Sequence, residues 1–149
     1  MYSLALTIHS WNRWAVVLLL LLTLGRAYRG WLGGLPYQPL DRRLGAVLTG
    51  VLHWQLLLGL TLYFGLSPWT RLAAANRAAT WHDPTLRFWS ITHISLMLTA
   101  IVVAQIGQSI AKRAAQATDR HRWTALTYSL AAGLILLGIP FASRPWFRF

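Results

Sequence analysis

The chain has 149 residues, of which 56% are hydrophobic and only 11% are charged, with nine Trp and no Cys. Soluble domains carry about 25% charged residues, so this composition excludes an ordinary soluble domain and indicates an integral membrane protein. The net charge of +11 would suggest nucleic-acid binding in a soluble protein. Here the basic residues flank apolar segments, where they meet lipid head groups, so we predict no nucleic-acid partner. The lack of Cys excludes disulfides, thiolate metal sites, iron–sulfur clusters and covalently attached haem.

Four apolar segments follow one another along the chain, at residues 4–25, 44–66, 86–110 and 120–140. Each is close to the roughly 20 residues that an α-helix needs to cross a bilayer. We therefore predict an all-α fold, a multi-pass integral membrane four-helix bundle, in which residues 1–149 form a single transmembrane domain. Gly25 and Arg26 are expected to end the first span, and Asp41 is expected to cap the second.

The segment between the second and third spans has two helix-start signals, Ser67-Pro68 and Asp83-Pro84. A Ser or Asp cap followed by Pro at the first helical position is typical of a helix N-terminus. We predict that the short stretch TRLAAANRAAT lies along the membrane surface.

The distribution of Lys and Arg predicts the orientation of the spans. The first and third connections carry eight of them: Arg26, Arg29, Arg42, Arg43, Lys112, Arg113, Arg120 and Arg122. The other side carries six: Arg13, Arg71, Arg77, Arg87, Arg144 and Arg148. Under the positive-inside rule this balance places both termini outside the cytoplasm.

Small residues four positions apart occur in three of the spans, a pattern that favours close helix packing in lipid. The pairs are Ala46 with Gly50, Ala100 with Ala104, and Ser129 with Gly133.

Histidines supply the chemistry in an otherwise apolar sequence. An ionisable residue within a membrane span is a candidate functional group, and His53 lies near the middle of the second span. Two neutral imidazoles from facing helices are the usual ligands of a b-type haem in a membrane bundle. At about 1.5 Å per residue, His9 lies about 25 Å from Arg26 and His93 about 28 Å from Lys112. His53 lies only about 15 Å from Arg43 on the same scale.

These depths place His9 and His93 at one level near the outer surface and His53 deeper. Because helix tilt shifts such estimates by several ångströms, His93 with either His9 or His53 stays open as the ligand pair. Arg13, one turn from His9, and Arg87, near the start of the third span, are candidates to bind haem propionates.

Each candidate also has a structural interpretation. His9 can be a solvated residue at the membrane interface, and His53 can hydrogen-bond a carbonyl or Thr49. Met97, four residues after His93, can serve as core filler rather than as an axial ligand. The two remaining histidines fit structural positions: His121 in a basic anchor, DRHRW, and His82 at the cap of the third span. Gln55 and Gln105 can join helices or touch a cofactor.

The pieces HSWNRW, LHWQLLLGLTLYF, LRFWSITHISLML and DRHRW, in that order, resemble a family of small four-span bacterial membrane proteins of cytochrome b-like type. The resemblance covers nearly the whole chain. It implies a haem-binding subunit of the bacterial inner membrane in which His9, His53, His93 and His121 match the family's histidines. The chain departs from the family at Thr92, where an acidic residue is expected before the histidine.

Two functional hypotheses follow. The first is an electron-transfer protein or subunit carrying one haem b, with iron ligands drawn from His93, His53 and His9, and with quinone or pigment as possible neighbours. The second is an accessory subunit of a larger respiratory or photosynthetic membrane complex, without its own cofactor, whose partners are lipid and other membrane subunits. The three acidic residues, all at helix starts, leave no carboxylate pair for acid–base catalysis, so an enzyme is the less favoured interpretation.

Overall fold

The computed structural model describes residues 1–140, a part of the chain that contains helices and turns and no β-strand. Seven α-helical segments follow in chain order: α1 Tyr2–Leu32, α2 Pro39–Leu60, α3 Pro68–Ala75, α4 Arg77–His82, α5 Pro84–Arg87, α6 His93–Arg113 and α7 Ala117–Leu137. Two π-helical turns, Thr61–Leu66 and Phe88–Thr92, extend α2 and precede α6. Arg144 and Arg148, which enter the charge count, lie outside the described residues.

Three helical stretches within residues 1–140 are long and apolar enough to cross a membrane: Tyr2–Leu32, Pro39–Leu66 and Pro84–Arg113. The fourth predicted span corresponds to α7, which packs along the others but is not among these three. Its first turns carry Asp119, Arg120 and Arg122, which lower the mean hydropathy of the helix. The all-helical fold is therefore present, with three helices of membrane-spanning character.

The first helix is longer than the sequence predicts. It continues through Gly25 and Arg26 to Leu32, about two turns beyond the expected end. A glycine inside a helix is tolerated when neighbouring residues favour the helix, and Gly25 is followed by Arg26, Ala27 and Tyr28. Gly34, with φ of 60°, lies in the turn that follows instead. Arg26 is consequently a helical residue and not a loop residue.

The core lies where α1, α2, α6 and α7 meet, and small side chains allow these helices to approach closely. Ala100, Ala104, Ala125 and Ala131 are fully buried beside larger residues such as Leu48. At Gly107 of α6, a Cβ would overlap the side chain of Thr127 on α7. Close backbone approach is the arrangement that gives dispersion contact between helices in a medium as apolar as lipid.

A buried polar cluster joins three helices, close to the start of α2 and the end of α6. The hydroxyl of Tyr128, on α7, is 3.2 Å from Oε1 of Gln108 on α6 and 3.4 Å from the carbonyl oxygen of Gly45 on α2. Thr49 also donates to that carbonyl, at 2.8 Å. Buried polar groups without partners are costly, so this cluster fixes the rotational register of the three helices.

Asp41 caps α2 in a way that also connects it to α1. Its Oδ2 accepts the backbone N–H of Gln38 at 2.7 Å, which makes Gln38 the N-cap of a capping box. Its Oδ1 accepts Nε of Arg26 at 2.6 Å. Nearby Tyr37, in the connecting turn, has a pKa raised by burial and by the charge of Asp41. We refer to this region as the Arg26 end of the bundle.

The sequence predicts a basic anchor at DRHRW that includes His121, but this imidazole is buried between helices. Only 2% of its surface is exposed, and its ring lies against α1 at Gly30, where any Cβ would overlap the imidazole. The ring of Tyr37 also packs on it, with centroids 4.9 Å apart. Successive residues of a helix point about 100° apart, so His121 faces the core while its neighbour Arg122 is exposed.

Candidate functional site

A cavity of about 160 Å³ lies at the opposite end of the bundle from Arg26. Its walls come from α1, α2 with its π turn, α3, the π turn before α6, α6 itself and the end of α7. Polar and aromatic groups that line it are Tyr2, His9, Ser10, Arg13, Gln55, Tyr63, Ser67, Trp69, Thr70, Trp89 and His93. The remaining lining is apolar, so a few polar groups face one another across a hydrophobic chamber. That composition is typical of a cofactor or ligand pocket.

His9 and His93 face each other across this chamber. Their ring centroids are 6.4 Å apart and their planes are inclined by 66°. His9 comes from the second turn of α1, and His93 is the first residue of α6 after the π turn. The two helices thus bring together the residues that helix register places at one depth.

The His93 ring is oriented by the end of α7. Its Nδ1 lies 2.8 Å from the carbonyl oxygen of Gly138, the C-cap residue of α7. A carbonyl can only accept, so Nδ1 carries the proton and Nε2 is the nitrogen with the lone pair. A hydrogen bond of this kind, made by the ring nitrogen that does not bind the metal, fixes the tautomer of metal-binding histidines. The backbone of Gly138 therefore orients His93, although Thr92 stands where the resemblance implies an acidic residue.

Gln55 of α2 holds His9 from the other side. Its Nε2 lies 3.0 Å from the backbone oxygen of His9 and 3.3 Å from the ring Nε2. Its Oε1 accepts from Nδ2 of Asn12 at 2.6 Å. The His9 Nδ1 is buried and has no hydrogen-bond partner within residues 1–140. Because an amide nitrogen only donates, Nε2 of His9 is the acceptor in the contact with Gln55 and the unpaired Nδ1 carries the proton. A metal ion could bind Nε2 only in place of the Gln55 amide.

Two further residues of the sequence analysis lie in this cavity. Arg13 lines it one turn from His9, with its guanidinium 5.5 Å from the ring centre of Trp14. Met97 lines it one turn from His93, and its Cε lies where a Cβ on Gly138 would be. Arg13 supplies positive charge to the chamber, whereas Met97 packs as core filler against the end of α7.

Both π turns border the cavity. Leu62 and Tyr63 line it from the first, and Trp89 lines it from the second, with its ring centroid 5.5 Å from that of His93. The hydroxyl of Tyr63 donates to the carbonyl of Ser90 at 2.8 Å and so joins the two turns. π-Helical turns are rare and occur frequently at functional sites, because the extra residue redirects side chains.

The other sequence candidates lie elsewhere. His53 is exposed on the outer face of α2. Its Nδ1 lies 2.7 Å from the carbonyl oxygen of Thr49. Arg87 is exposed and donates to the carbonyl of Trp81 at 3.2 Å. His82 is exposed at the end of α4, and Asp83 performs the capping expected near it, accepting from the backbone of Thr85 and Leu86. None of the three lines the cavity.

Three contributors to the site escape sequence reasoning. Gly138 acts through its backbone, Trp89 is one of nine tryptophans, and Gly59 matters because a Cβ there would lie 3.4 Å from Cε1 of His9. Gln55 carried a signal, since an amide within an apolar span is unusual. Its pairing with His9 depends on the rotation of α1 against α2, which no local pattern reveals.

Comparison with known proteins gives no further assignment: no family model, no curated protein and no solved structure matches the chain. The resemblance to the cytochrome b-like family therefore stays a prediction. Across residues 1–140, no group of three or more His, Cys, Asp or Glu side chains is placed to hold a metal ion. The His9–His93 pair supplies only two such side chains.

Proposed function

We propose that this chain is an electron-transfer protein, or the electron-transfer subunit of a larger membrane complex, that holds one b-type haem between His9 and His93. The observation that carries the proposal is the 6.4 Å separation of the two ring centroids. Imidazoles on opposite sides of one metal, each with a metal–nitrogen distance of about 2 Å, place their centroids about 6 Å apart. The spacing of the pair would allow both imidazoles to bind one iron between them.

The donor set fits this group. A haem brings four pyrrole nitrogens, so the protein needs to supply only two ligands, and two neutral imidazoles from facing helices suffice. The Gly138 carbonyl keeps the proton of His93 on Nδ1 and leaves Nε2 for the iron. Arg13, which lines the same chamber, provides a cation for a propionate. When bound, a haem supplies a one-electron Fe(III)/Fe(II) couple.

The chamber must widen to admit such a ligand. Ligand pockets commonly measure about 300–1,000 Å³, against about 160 Å³ here. The short helix α3, eight residues long, forms part of the wall, and its Thr70 hydroxyl donates to the carbonyl of Tyr63 at 2.7 Å.

The proposal is tested by a reduced-minus-oxidised visible spectrum of the chain purified in mild detergent, with a pyridine haemochrome assay on the same sample. We expect the bands of a b-type haem at about one per chain. Protein expressed with ample haem supply that shows no such bands and takes up no added haemin contradicts the proposal.

Three variants identify the ligands. His9→Ala and His93→Ala should each abolish or greatly reduce the haem content, because each removes one of only two iron ligands. His53→Ala is the matched control, since it changes a span histidine that lies outside the chamber. Loss of haem in His53→Ala with retention in His9→Ala would reject the His9–His93 pair in favour of His53 with His93.

The accessory-subunit hypothesis has one observation in its favour. Large aromatic side chains lie on the outside of the bundle, with Trp54 52% and Trp81 61% exposed. Such surface suits contact with lipid or with other membrane subunits. A haem-free chain that migrates in a large assembly after gentle solubilisation is the result this alternative predicts. The proposed location for either function is the bacterial inner membrane, with both termini outside the cytoplasm.

A further inference from the structure

A second cavity lies at the Arg26 end of the bundle and has no part in the haem proposal. It is a groove of about 500 Å³, large enough for a sizeable ligand. It is formed by the C-terminal half of α1, the turn between α1 and α2, the first turn of α2, and His121 of α7. Its lining includes Leu21, Leu22, Gly25, Arg26, Arg29 and His121.

The groove has a cationic end. Arg26 is held in place by Asp41, which binds its Nε and is itself fixed by the capping box of α2. A guanidinium has five N–H donors, so the terminal nitrogens of Arg26 remain for a ligand. Arg29 lies three residues further on the same helix face, is exposed, and makes no side-chain hydrogen bond within residues 1–140. Asp41 has both oxygens engaged, so the charge offered to a ligand is positive.

The rest of the groove is apolar and lies on the outside of the bundle. Leu21 is 64% and Leu22 is 48% exposed. Gly25 forms a notch between these residues and the two arginines, since a Cβ at Gly25 would meet nothing within 4 Å. A hydrocarbon chain can lie along α1 in this notch, with a charged head group beside the arginines.

His121 provides an independent indication of a ligand. It lines the groove, and only 2% of its surface is exposed. Neither ring nitrogen has a hydrogen-bond partner within residues 1–140. A neutral imidazole carries one N–H donor that is costly to leave unpaired. Residues 1–140 supply no acceptor for this donor, and an oxygen-rich head group in the groove that His121 lines would bring acceptors close to the ring.

We propose that this groove binds an anionic phospholipid, with its phosphate between Arg26 and Arg29 and one acyl chain along Leu21, Leu22 and Gly25. The proposal uses the insertion of α1 into a bilayer but not the presence of haem. Charge selects the occupant, because guanidinium groups bind phosphate with charge-assisted hydrogen bonds and basic pockets at the ends of membrane helices bind anionic head groups. The apolar notch distinguishes a lipid from free phosphate.

The test is native mass spectrometry of the full chain in mild detergent, titrated separately with phosphatidylglycerol, phosphatidylcholine and inorganic phosphate. We expect one phosphatidylglycerol to bind at least about tenfold more tightly than phosphatidylcholine, a difference of about 1.4 kcal/mol. Equal affinity for the two lipids overturns the proposal. Inorganic phosphate that competes as well as phosphatidylglycerol shows an anion site, and the lipid assignment is then wrong.

Two variants examine the two halves of the groove. Arg29→Gln removes an unpaired surface charge and should lower phosphatidylglycerol affinity about tenfold, towards that of phosphatidylcholine. Gly25→Leu keeps both arginines but fills the notch, and should weaken both lipids. Arg113→Gln is the control, because it removes an exposed arginine that is the last residue of α6 and does not line the groove. Loss of lipid selectivity in Arg113→Gln, or unchanged binding in Arg29→Gln, contradicts the site.

The outcome is independent of the haem proposal. Arg29 and Gly25 lie at the other end of α1 from His9, so the haem content of both variants should equal that of the unmodified chain. A haem-free chain that still selects phosphatidylglycerol would reject the proposed electron transfer and leave the lipid site intact.

Discussion

At the scale of single residues, the contacts around His9 decide what its imidazole can do. Gln55 reaches both its backbone oxygen and its Nε2, and Asn12 in turn holds Gln55. The amide therefore acts as a bridge between α1 and α2 and as a restraint on the ring. A histidine that is to serve as a ligand must be restrained in this way, because a freely rotating ring loses entropy on binding.

Gln55→Leu should destabilise the haem-free protein by about 1 kcal/mol, since it leaves the Asn12 amide and a buried imidazole nitrogen unpaired. The measurement is unfolding in mixed micelles of increasing SDS fraction, followed by far-UV circular dichroism. Gln105→Leu makes the same chemical change on the exposed face of α6, where no bond to another helix within residues 1–140 is lost. Equal stability losses in the two variants would show that the bridge contributes nothing specific.

At the scale of elements, helix contact is set by a few positions where one backbone meets another. Gly107 is such a position, because a Cβ there would overlap Thr127 of α7. Gly107→Leu should force α6 and α7 apart and cost about 1–3 kcal/mol or more. Gly133→Leu is the control, since a Cβ at Gly133 meets nothing within 4 Å and the residue is exposed. The same micelle unfolding assay compares them, and a Gly107→Leu protein as stable as Gly133→Leu would contradict this packing.

These glycines also show which features of the helices can be predicted from the sequence. Hydropathy locates the apolar helices, and the Ser67-Pro68 and Asp83-Pro84 signals locate the starts of α3 and α5, since both depend on local composition. The small-residue pattern selects Ala100 with Ala104, which are fully buried, but equally selects Ala46 with Gly50, which are exposed. Such a pattern carries no information on which face of a helix meets a neighbour. That face is set by tertiary packing, for which the Tyr128–Gln108 contact is an example.

The candidate site, like the helices, is set partly by local sequence and partly by tertiary packing. Helix register is enough to place His9 and His93 at one depth, because rise per residue is constant. It cannot place His53, since a few tens of degrees of helix rotation decide whether a side chain faces the chamber or the lipid. The carbonyl of Gly138 and the amide of Gln55 complete the site through contacts between residues 45 or more positions apart. The sequence thus supplies the candidate residue types, and the tertiary structure brings His9 and His93 together.

At the scale of the whole molecule, the two ends of the bundle differ in chemistry. The His9 end has an apolar chamber with paired imidazoles, and the Arg26 end has a cationic groove. The helix α1 connects them, and at 1.5 Å per residue its 31 residues extend over about 45 Å. That length exceeds the hydrocarbon thickness of a bilayer, which is about 30 Å. The two sites therefore belong at opposite membrane surfaces if α1 crosses the bilayer.

The absence of Cys in the sequence allows this arrangement to be measured directly. Single cysteines at Ser3 and Thr85 should react with a membrane-impermeant maleimide from the outer side, and those at Leu35 and Ala115 from the cytoplasmic side. All four positions are exposed. Ser3 and Leu35 lie near the two ends of α1, and Thr85 and Ala115 lie near the two ends of the span that contains α6. Labelling of sealed vesicles of both orientations, with lysed vesicles as the control for reactivity, separates the two sides. Reaction of Thr85 and Ala115 from the same side would exclude α6 as a span, and a complete exchange of sides would keep the spans but invert the charge-based orientation.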